Sequence, residues 1–213
     1  MSKLRLGIAM SLDGYVAGPD QDEENPLGVN GQELHEWVFP LKEFREMHGE
    51  SGGEINASSA VLQERQANIG ATIMGRNMFG PTRGEWPEDA WRGWWGDVPP
   101  YHHPVFVLTH YSREPLEMQG GTTFHFVTDG IESALAQAKE AAQGRDVWLA
   151  GGASAVNQYL AAGLVEAIDI SIAPVILGSG ARLFEGVQHG AVKLEQVRAV
   201  DAPGVTHIRY KVV

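Results

Sequence analysis

The residues best equipped for chemistry are Gly151-Gly152-Ala153-Ser154, which follow a short apolar run in DVWLAGGASAVNQYL (Asp146 to Leu160). Glycine carries no Cβ, so the backbone there can turn sharply and approach a ligand closely. The helix that should follow offers unpaired N–H groups to an anion. A phosphate-bearing cofactor is the natural guest, although the same glycine pair also serves as ordinary punctuation between a strand and a helix. Two other strand ends carry similar equipment. Gly75 and Arg76 close the apolar segment Ala71 to Met74 and open a helix, and Thr109 and His110 end the run that begins at Val105. A phosphate near Arg76 would gain a guanidinium fork together with helix N-terminal amides, and Thr109 would add a hydroxyl. The plainer alternative makes Arg76 a solvated surface residue and Thr109 a strand terminator. In an open α/β sheet such ends converge, because ligands lie in the crevice outside the carboxyl ends of the strands.

Other chemistries fit less well. Neighbouring His102 and His103 would point apart on an extended chain, and His35-Glu36 is followed by Phe39 where a zinc-binding helix needs its second histidine, so no metal site is expected. Gly152-Ala153-Ser154 begins like a hydrolase nucleophile elbow, but Val156 stands where that turn requires glycine. The chain has no cysteine, which excludes disulfides, thiolate metal sites and a cysteine nucleophile.

Positioning these groups falls to one domain spanning residues 1–213, of which 43% are hydrophobic, enough for a single well-filled core. The formal charge of -11, from 27 acidic and 16 basic residues with no Lys/Arg run, makes nucleic acid a poor partner. The N-terminal MSKLRLGIAMSLDG is too short and interrupted for a signal or membrane segment, so a cytoplasmic protein is expected. Leu4 to Met10 reads as a first strand, with a loop from Ser11 to Ala17. Gly18 to Gly53 is acidic and glycine-dotted, with a helical patch at Gln32 to Phe39, a turn near Leu41 to Met47 and no strand. Ser58 to Asn68 reads as a helix capped by Ser58 or Ser59, and Ala71 to Met74 as a buried strand. A loop from Gly80 to Pro100 holds four of the six tryptophans, Trp86, Trp91, Trp94 and Trp95. These rings would form either a wall for a planar substrate or the core of the loop. Strands at Val105 to Thr109, Thr123 to Val127 and Val147 to Ala150 alternate with helices at Ile131 to Gln143 and Ala155 to Ala162, ended by Gly144 and Gly163. The rhythm predicts a mostly parallel sheet covered on both faces. One long strand, Ala167 to Leu177, contains Pro174, and Val192 to Val200 with Val205 to Val213 forms a closing antiparallel hairpin.

The segments SLDGYVAG (Ser11 to Gly18), IMGRNMFG (Ile73 to Gly80), VFVLTH (Val105 to His110), GGAS (Gly151 to Ser154) and SIAPVILGSGARLFEG (Ser171 to Gly186) stand in the order of the dihydrofolate reductase-like family. More narrowly, the chain resembles the C-terminal reductase domain of the bacterial riboflavin-biosynthesis deaminase-reductase and its stand-alone relatives. That resemblance implies a three-layer α/β/α fold with a mostly parallel eight-stranded sheet, an antiparallel C-terminal hairpin, and NADPH across the strand ends. It places Gly75 and Arg76 by the adenosine phosphates, Thr109 and His110 near the adenine ribose, and Gly151, Gly152, Ala153 and Ser154 on the pyrophosphate. Ala9, Met10 and the loop from Ser11 to Gly14 would lie by the nicotinamide and the substrate. Tyr15 stands where the riboflavin enzyme usually has lysine, and these residues include no deaminase domain. The insertions at 20–53 and 84–100 would further alter what fits the cleft. The implied activity is NADPH-dependent hydride transfer to a small heterocyclic or carbonyl substrate, akin to 5-amino-6-(5-phosphoribosylamino)uracil reductase. The alternative is a non-catalytic module that keeps the nucleotide cleft. Asp13, Tyr15 and Glu185 are the candidates to orient the substrate or relay a proton. Each has an ordinary alternative, as an Asx turn, a half-buried aromatic and a surface salt-bridge former. A homodimer is expected, with Ala167 to Leu177 as a long edge strand to support it.

Overall fold

In the computed structural model, which describes residues 2–87 and 91–213, β1 (Leu4–Ser11) and the short β2 (Tyr15–Ala17) open the chain. A 3-10 turn at Gly31–His35, α1 (Lys42–Met47) and α2 (Ala57–Gln66) follow. Next come β3 (Ile69–Gly75), α3 (Arg76–Phe79), β4 (Pro104–Leu108), β5 (Leu116–Glu117) and β6 (Thr123–Val127). The alternating part continues through α4 (Ile131–Ala141), β7 (Asp146–Gly151), α5 (Ala153–Ala161) and β8 (Ala167–Ala173). The chain closes with β9 (Ala181–Arg182), β10 (Leu194–Ala202) and β11 (Val205–Val212).

The main sheet runs β10-β11-β8-β1-β7-β3-β4-β6-β5. From β8 to β6 every neighbouring pair is parallel, while β11 joins β8 and β10 joins β11 in antiparallel register. These eight strands are the expected eight-stranded sheet, and the two-residue β5 adds an antiparallel fringe beside β6. Alternation along the strands splits the core in two. On one face Leu4, Leu6, Ile73, Phe106, Leu149 and Ile168 meet the small and branched residues of α4 and α5, including Ala134, Ala138, Val156 and Tyr159. On the other face Met74, Val105, Val107 and Phe124 pack against Phe79 and the rings of Trp86, Trp91, Trp95 and Tyr101. The tryptophan loop is thus the roof of a second core.

Toward β8 and β11 that second layer is α2, and the contact is polar. Asp169, 2% exposed, accepts from Arg209 Nε at 2.6 Å and lies 3.6 Å from Arg5 and 3.9 Å from Arg65. His207 bridges Ser58 and Ser171 hydroxyls, each at 2.9 Å.

Three local expectations change. Asn56, rather than Ser58 or Ser59, caps α2, with Ser59 returning the bond as the second half of a capping box. β8 ends at Ala173 because Pro174 has no N–H to continue the ladder. It also lies between β1 and β11, so it is no edge and cannot pair with a second copy; the exposed edge is β10.

Candidate functional site

Parallel strands end on one rim, and there the ends of β1, β7, β3 and β4 open into a groove of about 910 Å³. Ala9, Gly75, Arg76, Thr109, His110 and the run Gly151 to Ser154 all line it. The three glycine, arginine and threonine segments, distant in sequence, therefore meet in one continuous space.

Arg76 stands at the N-terminus of α3. Its guanidinium carbon lies 3.8 Å from the centre of the Trp86 ring and 5.4 Å from that of Tyr111. The indole is held in place because Trp86 Nε1 donates to the Tyr111 carbonyl at 2.9 Å. Arg76 Nη1 is 3.5 Å from Thr109 Oγ1, at the limit of a hydrogen bond, while Nε and Nη2 are buried with no acceptor among the described residues. Burial, and then the charge of Arg83, pull its pKa below the ordinary arginine value. Such a cation, with two nitrogens unpaired among the described residues, suits an anion. Thr109 is mostly occupied locally, since its Oγ1 accepts from Tyr111 N at 3.2 Å, and so it orients the arginine. His110 is exposed at the rim.

The glycine pair is built for close approach. Gly151 has φ +133°, a conformation that L side chains rarely adopt, and the peptide to Gly152 is cis. A Cβ on Gly152 would meet no protein atom within 4 Å, so the space before it is groove. α5 starts at Ala153, two residues earlier than its composition implied, and Gly152 supplies no side-chain cap. The amides of its first turn are left for a ligand. Orphaned guanidinium nitrogens beside uncapped helix amides fit a dinucleotide phosphate group.

The remainder of the groove is mostly apolar, with Gln21, Asn77 and Arg83 also in its lining. Val16, Leu27, Phe39, Phe44 and Met47 line it, with Trp94, Trp95 and Tyr101 from the tryptophan loop. His35 and His48 are polar groups in this lining, and burial lowers the pKa of His35 below its ordinary value.

The three residues proposed for substrate and proton handling are not brought to this space. Ser11 Oγ donates to Asp13 Oδ1 at 2.6 Å and accepts from Tyr15 N at 2.8 Å. Asp13 also accepts from Leu177 N at 3.1 Å and Gly178 N at 2.7 Å. Its pKa is lowered, first by the Ser11 hydroxyl and then by those amides, so it is a carboxylate staple and a poor acid. Tyr15 donates to the Gly178 carbonyl at 3.3 Å and lies beneath Arg182, whose guanidinium is 4.9 Å from its ring. Glu185 is exposed in an adjoining depression of about 490 Å³ with Asn157 and Arg182, which meets the groove along Ala153, Ser154, Gln158 and Ala181. Neither Ser11, Asp13, Tyr15 nor Glu185 lines the large groove.

Sequence reasoning missed Thr128, Gly130 and Ile131, which line the groove where β6 turns into α4. The same strand, glycine turn and helix rhythm would have found them. It also missed Arg83 and the aromatic inner wall of the 20–53 insertion, for which no periodic signal exists. Among the described residues there is no cluster of three or more His, Cys, Asp or Glu that could hold a metal, and no helix long and apolar enough to cross a membrane.

Sheet order, crossovers and rim groove define a dihydrofolate reductase-like α/β domain. Over the whole chain it is similar to a putative riboflavin biosynthesis protein from Shewanella sp. PV-4, with TM-score 0.60, 20% identity and coverage of 100% of this chain and 99% of that one. It is also similar to dihydrofolate reductase from Enterococcus faecalis complexed with NADP(H), with TM-score 0.51, 14% identity and coverage of 99% and 96%. Residues 2–207 match the RibD C-terminal domain, and the chain belongs to that family. Two uncharacterized proteins of Bacillus subtilis (strain 168) are relatives. YwjB is 36% identical over 182 residues, 85% of this chain and 82% of its own length. YyaP is 37% identical over 86 residues, 40% of this chain, and the match spans less than half of that relative, 45%.

Proposed function

We propose that this chain is an NADPH-dependent reductase that delivers a hydride to a small heterocyclic or carbonyl compound. The observation that carries the reading is Arg76, a cation stacked on Trp86 with two nitrogens unpaired among the described residues, on the same groove as the uncapped start of α5 and an apolar chamber. Arg76 would take the phosphate that distinguishes NADPH from NADH, with Thr109 orienting it and His110 at the adenosine rim. Gly75 allows close approach of α3 and α5, and Gly151, Gly152, Ala153 and Ser154 would hold the pyrophosphate. Ala9, on the central strand β1, would face the nicotinamide carboxamide. The reduced cofactor supplies the hydride. The chain itself binds, orients and excludes water: apolar Val16, Phe39 and Phe44 keep the reacting region dry, and Asp13 holds the segment at Leu177 and Gly178 against β1. The family match and the NADP(H)-bound neighbour support this reading.

A second reading, a nucleotide-binding module without turnover, is favoured by one observation: Asp13, Tyr15 and Glu185 all lie outside the groove. The two are separated by titrating the protein with NADPH and NADH, then following the near-ultraviolet absorbance of reduced cofactor with pterins, pyrimidines and quinones. Failure to bind NADPH removes both readings; tight binding with no oxidation by any compound leaves the module. We also propose pairing of two copies through β10, whose outer edge is unpaired and exposes Leu194 and Val197. Sedimentation of wild type against Val197→Lys tests it, and a wild-type monomer refutes it.

A further inference from the structure

The 20–53 insertion has nine acidic residues and two basic ones, Lys42 and Arg45, so it carries most of the chain's net charge of -11. Both cations are engaged within it. Lys42 Nζ is 3.5 Å from Glu46, and Arg45 lies 3.1 Å from Glu50 while donating to the Ser51 carbonyl at 3.3 Å. The inner surface is different in kind. Leu27, Phe39, Phe44 and Met47 turn into the groove, and neither Lys42 nor Arg45 does. The two arginines that line the groove, Arg76 and Arg83, come from α3 and the loop beyond it, and Arg83 is already committed to the carbonyls of Gly80 at 3.0 Å and Pro81 at 2.6 Å.

Resting on the reductase reading above, we propose that this chamber takes an uncharged planar carbonyl compound of the quinone type and rejects phosphate-bearing pyrimidines, with His35 as the polar contact. An anion would have to pass a strongly acidic shell and shed water with no unpaired cation from that shell to receive it. A flat apolar ring meets the opposite conditions. Phe39 and Phe44 stand 5.3 Å apart, and Phe44 and His48 4.2 Å apart, and aromatic faces stack on flat rings. His35 lines the chamber with its buried Nδ1 lacking a well-formed partner among the described residues, so a ligand's carbonyl oxygen would compete there only with the loose contact of the ring to the Gly31 backbone. The net reaction balances: the quinone gains a hydride and a proton to become the hydroquinone, and NADPH becomes NADP+.

The test is binding to the cofactor-free protein, with menadione, an uncharged naphthoquinone, and uridine monophosphate as probes. Menadione is measured by equilibrium dialysis, and the nucleotide by its power to displace menadione, which ignores any binding beside Arg76. Menadione should bind at least ~10-fold more tightly than the nucleotide, about 1.4 kcal/mol for a phosphate that must shed water with no cation of that shell to receive it. Phe44→Ala should weaken menadione roughly tenfold, the value of one aromatic stack. If that variant melts early, Met47→Ala reads the same wall. Equal affinity for the two probes, or menadione binding indifferent to both wall substitutions, overturns the proposal. Loss of NADPH binding with menadione selectivity intact would instead refute the reductase reading and leave the chamber's specificity standing.

Discussion

Replacing Arg76 with methionine separates two quantities that a merely structural arginine would move together. Methionine is unbranched and adaptable, so it can keep the slot between Trp86 and Tyr111 filled. What it removes is a charge whose sole hydrogen-bond contact among the described residues is the marginal 3.5 Å one to Thr109. In the cofactor-free protein the lost cation–π attraction, about 0.5–2 kcal/mol, is offset by relief of a desolvated charge. The melting temperature should therefore stay within about 3 °C, since 1 kcal/mol corresponds to roughly 2–4 °C in a chain of this size. Cofactor binding should respond far more. One charge-assisted hydrogen bond to a phosphate contributes about 1.5–3 kcal/mol and two about twice that, so NADPH affinity should fall by at least roughly 10-fold and by up to about 10,000-fold. NADH lacks the ribose phosphate, and its affinity should shift by less than about threefold on the same scale. Calorimetric titration suits the comparison, because Trp86 would complicate a fluorescence signal. Equal weakening of both dinucleotides would show that Arg76 does not read that phosphate. No change in either would remove the phosphate site from this end of the groove.

Three further substitutions or conditions test the scaffold. Asp169→Ala leaves Arg5, Arg65 and Arg209 facing a buried void, and breaking a buried ion pair costs about 3–5 kcal/mol, to be read from urea unfolding; a loss below 1 kcal/mol would show the network to be solvated. His207 is held to a pKa of about 4, first by burial and then by the charges of Arg65 and Arg198, so the unfolded chain takes up the proton first as pH falls. Stability from this residue is therefore full above about pH 6.5 and declines toward pH 4 by about 3 kcal/mol, and urea midpoints for His207→Gln should flatten that slope. Gly7→Ala would put a Cβ 1.7 Å from the Trp148 ring, an overlap the indole can relieve only by moving, and should cost about 1–3 kcal/mol in the same assay.

What the sequence disclosed, and what it hid, follows from the range of the forces involved. Gly151 and Gly75 were legible because the demand on them is local: a strand must turn at once into a helix, and only glycine supplies the backbone freedom or the close approach. The alternating apolar runs of β3, β4 and β7 were legible for the same reason. The position of β8 was not. Its composition suits an edge or an interior strand equally, and its place beside β1 is fixed by where the hairpin β10–β11 docks. Asp13 misled because its partners, the amides of Leu177 and Gly178, lie more than 160 residues away, and no local pattern distinguishes a staple from an acid. Trp86 was visible as a ring but not as the platform for Arg76, a contact that exists only once the loop has folded over β3.

The groove also resolves a tension in the composition. A chain with a net charge of -11 repels phosphates at long range, yet the site best explained by its residues is a phosphate site. The two statements act at different distances. Repulsion among exposed carboxylates is screened within about 10 Å at ordinary ionic strength, whereas an enclosed guanidinium meets its anion at contact and is screened much less. The partial burial that lowers the Arg76 pKa goes with two nitrogens unpaired among the described residues, which leaves the cation its attraction for a ligand. The 20–53 segment does the reverse with the same physics, pairing its two cations internally and turning uncharged groups inward, apolar side chains with Gln21 and two imidazoles. On the proposed readings, one groove would make two selections, a charged dinucleotide at Arg76 and an uncharged ring at the chamber inside the acidic shell. The selectivity of each part depends on the other's charges being kept out of it.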